Sequence, residues 1–157
     1  MLGRAAEPQR VELEWRERYP DSGPGLRFAV DALQVTGEGW SADIAVTNST
    51  GVPFAFGRQA TERAFGLMLF TNGEVDELEE AARDGRLPTI RPAERFEPEP
   101  PALLAPNATW RARLSARGSL ADGSWVRVSF GPLRAQGDPP DGMESVVFWI
   151  TDRSHRL

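Results

Sequence analysis

The sequence has no cysteine, no lysine, one histidine and one tyrosine. Without cysteine there is no thiolate nucleophile, thiolate zinc site, iron–sulfur cluster or disulfide. Without lysine there is no amine for a Schiff base or a tuned general base. All 18 basic side chains are arginines, the composition of a GC-rich genome and also a set of permanently charged planar donors for carboxylate or phosphate. No apolar run approaches the length that spans a bilayer, and Met1 to Pro8 lack the apolar stretch of a signal peptide. The expected compartment is the cell envelope or the exterior if a leader has been removed, and the cytoplasm otherwise. Acids outnumber bases 23 to 18, giving a net charge of −5, which argues against a general nucleic-acid binder.

What is present is a period of two. Val11, Leu13 and Trp15 alternate with charged residues, and Trp40, Ala42, Ile44 and Val46 alternate with polar ones. Leu26, Phe28 and Val30 continue into Leu33 and Val35 on the opposite parity, so a bulge is expected near Asp31 and Ala32. A short strand runs from Val52 to Phe56, with Pro53 marking it as an edge or a strand start. Phe65 to Phe70 is apolar on both faces and must be covered twice. The spacing predicts one helix over about 72–85. Thr71 to Glu74 would form a capping box, Val75, Leu78 and Ala82 a buried stripe, and Gly85 and Pro88 the stop. Residues 86–107 read as a proline-rich connection crossing between sheets. Trp110 to Leu114, Trp125 to Phe130 and Ser145 to Thr151 read as later strands, with a Gly/Pro-rich loop from Gly131 to Gly142.

These features predict an all-β fold, an antiparallel immunoglobulin-like β-sandwich of eight or nine strands with one short inserted helix. The single domain is expected over 11–152, with residues 1–10 outside it and 153–157 as a frayed tail. Residues 1–100 carry net −7 and residues 101–157 net +2, so the carboxyl-terminal strands are the less acidic part.

Three stretches carry a resemblance. Ile44-Ala45-Val46-Thr47-Asn48-Ser49-Thr50, Leu104-Ala105-Pro106-Asn107-Ala108-Thr109-Trp110 and Asp122-Gly123-Ser124-Trp125-Val126-Arg127-Val128 resemble strand-and-turn signatures of bacterial immunoglobulin-like and fibronectin-type-III-like domains. They are also similar to those of bacterial intracellular proteinase-inhibitor-like domains. The resemblance implies a sandwich and, from the last group, an inhibitory loop; Asn107 and Asp122 stand where its pattern has Gly and Pro.

Catalytic chemistry finds few residues. His155, two residues from the carboxyl terminus, would need to be held within hydrogen-bond reach of a nucleophile, which a frayed tail does not do. Metal chemistry is left with oxygen ligands, from Asp138-Pro139-Pro140-Asp141-Gly142 or the acids of the helix, and neither has calcium-loop spacing. No catalytic residue, metal ligand or cofactor is therefore assigned. Asn48 and Asn107 begin Asn-x-Ser/Thr triplets and read as turn residues.

The remaining constellation is aromatic. If Val126, Val128 and Phe130 face the core, Trp125 and Arg127 face outward; if Val146, Phe148 and Ile150 also face inward, Val147 and Trp149 face outward. Trp125, Arg127, Val147 and Trp149 would then form a platform for a sugar, a peptide or a protein surface, unless the helix stripe covers that face as a second core. The expected function is a non-catalytic binding or protein-interaction module with a protein or carbohydrate partner. The alternatives are a proteinase-inhibitor-like or carbohydrate-active protein, and a structural subunit pairing through Phe65–Phe70 or an open sheet edge.

Overall fold

A computed structural model describes residues 3–57 and 63–157. It is an all-β sandwich of two antiparallel sheets with one short helix. The first sheet contains β1 (Gln9–Tyr19), β2 (Leu26–Val35), β3 (Gly39–Asn48), β9 (Thr109–Arg117) and β7 (Arg95–Glu97), in that spatial order. The second contains β6 (Arg91–Pro92), β5 (Gly66–Phe70), β10 (Trp125–Ala135), β4 (Phe54–Phe56) and β8 (Leu103–Leu104), with β11 (Val146–Ile150) and β12 (His155–Arg156) along the other side of β10. Between α1 and β9 the connection crosses from sheet to sheet three times, contributing β6 and β8 to one and β7 to the other.

The alternation explains the core. Trp40, Ala42, Ile44 and Val46 of β3 and Trp110, Ala112 and Leu114 of β9 are buried, as are Val126, Val128 and Phe130 of β10. These two inner faces close on one another through Phe28–Phe130, Phe65–Trp110 and Phe56–Trp110, with ring centroids 5.0, 5.6 and 5.1 Å apart. The parity change in β2 is a bulge, with the register jumping between Val30 and Ala32 so that Asp31 is the extra residue. A matching irregularity lies beside it in β1, between Glu12 and Trp15, where Glu14 has φ of 52°.

Asn48 ends β3 and ties the sheets together. Its fully buried amide donates to Val52 O at 2.8 Å and Leu104 O at 2.9 Å, and accepts from Thr50 N and Thr50 Oγ1. Asn107 takes the left-handed conformation, φ 66°, before β9. Asn107 is a turn residue as expected, whereas Asn48 is the last residue of β3 and its side chain holds the turn that follows; Pro53 precedes β4, which lies between β10 and β8 rather than at an edge.

The helix α1 (Val75–Arg83) is shorter than expected. Glu74 is its N-cap but supplies no side-chain cap bond. Glu77 reaches back instead, accepting from Thr71 Oγ1 at 2.9 Å and from Asn72 N at 3.1 Å. Gly85, with φ of 69°, ends the helix. Leu78 and Ala81 are its buried residues, and Ala82 is exposed; the Val75 side chain lies outside the described residues. With Phe70, Met68, Trp125 and Ile150 they form a second, smaller core on the outer side of β5 and β10. The strand apolar on both faces is thus covered twice.

Two expectations about chain segments need correction. The stretch beginning at Gly131 is not a loop throughout, because residues 131–135 continue β10 past a register shift between Phe130 and Leu133. The carboxyl-terminal segment is not frayed. His155 and Arg156 pair with Val126 and Trp125, and Leu157 N donates to Ser124 O. At the other end β1 starts at Gln9, and Ala6 is buried with its N–H donating to Leu120 O.

Candidate functional site

The four residues of the predicted platform divide between two faces. Trp125 and Arg127 lie on the outer side of β10 as the alternation requires, but α1 covers them. Val147 and Trp149 point the other way. Val147 is buried in the main core, and Trp149 stacks on Phe28 at 5.6 Å with the rings 2° from parallel. Phe148 is the outward residue of β11, 57% exposed. No common platform exists.

Arg127 has no exposed surface. Its Nη1 donates to Thr151 O at 2.8 Å and Asp152 O at 2.6 Å, its Nη2 donates to Glu74 O at 3.1 Å, and the guanidinium lies 5.2 Å from the centre of the Phe70 ring. Its Nε has no hydrogen-bond partner among the described residues. Burial pulls the guanidinium below its ordinary pKa, while the negative charges of Asp152, Glu17 and Glu77 oppose that shift. Glu17, arriving from β1, accepts from Trp149 Nε1 at 3.0 Å, Asp152 N at 2.8 Å and Arg153 N at 3.1 Å. Together these groups fasten α1, β1 and the last strands. They are a structural joint, not an open site.

His155 is held, contrary to the tail reading. Its Nε2 and Gln9 Oε1 are 3.1 Å apart, and burial lowers its pKa. The Glu74, Asp76, Glu77 and Glu80 side chains line a cavity of about 450 Å³ between α1, the end of β5 and Arg86. Asp138 and Asp141, the loop acids weighed for metal, lie in the turn after β10.

A site of a different kind occupies the outer face of the five-stranded sheet. Arg16 and Arg18 sit on the polar phase of β1, opposite Ala29 and Arg27 of β2. Ala29 and Arg27 in turn face Ala45 and Thr47 of β3, and these face Arg111 and Thr109 of β9. The result is a trough of about 340 Å³, floored by Ala29 and Ala45 and walled by Arg16, Arg18, Arg27 and Arg111. Thr47 Oγ1 and Thr109 Oγ1, 2.8 Å apart, close one end. Alanines on the floor leave the backbone open to close approach, and arginine stems supply apolar walls with charged tips.

The charge is only partly neutralised. Asp31, on this face by alternation with the buried Val30 and left unpaired by the β2 bulge, lies with Oδ1 2.6 Å from Arg16 Nη2 and Oδ2 3.6 Å from Arg111 Nη1. Arg18 donates to the carbonyls of Pro20 and Gly23. Arg27 is exposed and has no ion-pair partner among the described residues. Four guanidinium groups stand against two carboxylates, Asp31 and the lining residue Glu17, whose oxygens are already taken up by Trp149 Nε1 and the N–H groups of Asp152 and Arg153, and this makes a cationic patch on an acidic protein. None of these arginines was singled out from sequence. The spacing Arg16-x-Arg18 on a strand with Trp15 buried was the available signal, but gathering arginines from three strands requires the register.

No family model, curated protein or solved structure matches this chain.

Proposed function

We propose that this protein is a non-catalytic binding module that engages a partner through the arginine trough on its five-stranded sheet. The observation carrying the proposal is the concentration of Arg16, Arg18, Arg27 and Arg111 around an alanine floor, in a chain whose overall charge is −5. Guanidinium groups at a concave surface bind carboxylate, sulfate or phosphate oxygens in pairs. The scaffold reading adds support. The Ile44–Thr50 stretch resembling immunoglobulin-like and fibronectin-type-III-like domains ends β3 and forms its turn, Leu104–Trp110 leads into β9, and Asp122–Val128 leads into β10. An accessory role in a bacterial envelope or outside the cell agrees with that resemblance.

The test is calorimetric titration with three probes, a hexaglutamate peptide, a heparin hexasaccharide and neutral chitohexaose. The expected result is salt-sensitive binding of a charged probe, lost in the double variant Arg27→Glu/Arg111→Glu. Absence of binding by all three, or binding unaffected by the charge reversal, overturns the proposal.

A further inference from the structure

We infer that the trough receives an extended acidic peptide segment, and that Asp31 is a built-in competitor for the ligand's carboxylates. The inference rests on the binding-module reading and specifies the ligand's chemistry.

The first support is the occupant already present. Asp31 shares the outward parity of Arg27 and Ala29, opposite the buried Phe28 and Val30, and the paired irregularities in β1 and β2 leave it without a ladder partner. Its carboxylate bridges Arg16 of β1 and Arg111 of β9, spanning the trough. The site therefore demonstrates its own preference: two guanidinium groups from different strands converge on one carboxylate.

The second support is shape. Ala29 and Ala45 present no side chain beyond a methyl group, so a peptide backbone can lie along the floor. The third support is charge. Arg27, with no ion-pair partner, and Arg18 extend the cationic wall beyond the Asp31 bridge, giving a second place for an acidic side chain. The acidic remainder of the molecule repels a long polyanion and leaves a short acidic run as the fitting ligand.

The experiment compares wild type with Asp31→Asn for hexaglutamate and heparin hexasaccharide, with Glu79→Gln on α1, which is exposed and makes the same change of net charge, as the control and near-ultraviolet circular dichroism checking the fold. Removing the competing carboxylate is expected to tighten hexaglutamate binding roughly threefold to tenfold, with Glu79→Gln unchanged. If wild type binds and a correctly folded Asp31→Asn binds equally or more weakly, Asp31 organises the arginines and the competitor role fails while the binding module stands. Tighter binding of heparin than of hexaglutamate overturns the peptide assignment. Self-association abolished by Arg27→Glu/Arg111→Glu would make a second copy the occupant, and would overturn it as well. If neither protein binds either probe, the binding-module reading itself fails.

Discussion

Arg127 shows how a single buried charge can organise several segments. Its three hydrogen bonds reach two carbonyls of the carboxyl-terminal segment and one at the start of α1. Glu17 binds the neighbouring backbone N–H groups from the opposite side. Removing the guanidinium would strand three carbonyls and leave Glu17, Asp152 and Glu77 without their countercharge. Arg127→Ala is expected to lower stability by about 3–5 kcal/mol in urea unfolding; a loss below about 1 kcal/mol would mean that water replaces the guanidinium. His155 gives a pH signature. Because burial depresses its pKa, the unfolded chain binds more protons than the native state as pH falls below about 6.5. The stability contributed by the neutral ring is complete above that pH and is lost as pH drops through the native pKa. The expected outcome is that His155→Gln loses less of its urea midpoint than wild type between about pH 7.5 and about pH 5. Equal losses would assign the acid sensitivity to other groups.

At the scale of elements, α1 is the part set apart from the main core. It rests on a small cluster, with Leu78 and Ala81 its buried contacts and Gly73 pressed against the Trp125 ring. Leu78→Ala is expected to cost about 2 kcal/mol locally, accelerating amide exchange over residues 75–83 while amides of β2, β3 and β9 keep their protection. Uniform acceleration in both regions would show the helix to be integral to the fold. The same element shows what could be read from sequence. The bulge at Asp31, the two-faced strand at Gly66–Phe70 and the helix that follows it are legible from spacing alone. The orientation of Val146–Ile150 is not, because five consecutive apolar residues carry no alternation. Phe148 is exposed, while Val147 is buried in the core and Trp149 packs against it. The alternation of β10 places Trp125 and Arg127 outward, but the covering helix turns that surface into an interior. The trough was hidden for another reason. Each arginine occupies an ordinary polar position on its own strand, and only the pairing of Arg16 with Ala29, Ala29 with Ala45 and Ala45 with Arg111 assembles them.

Across the whole molecule, both chain ends converge on one hairpin. Asp122 N donates to Arg4 O and Ala6 N to Leu120 O, while Gly123 N donates to Leu157 O. The strand registers place this turn beside Gln9, Gly39 and Arg117, whereas Arg18, Arg27 and Thr47 lie toward the other pole of the same sheet. A circularly permuted gene, with a short flexible linker joining the old ends and new ones opened between Gly37 and Glu38, is therefore expected to yield a folded protein with a wild-type circular dichroism spectrum. The new ends would stay at the pole of the original ones, away from the cationic surface, since Gly37 shares that pole. A reporter or surface attached at either native end would stand clear of whatever docks on the far half of the sheet.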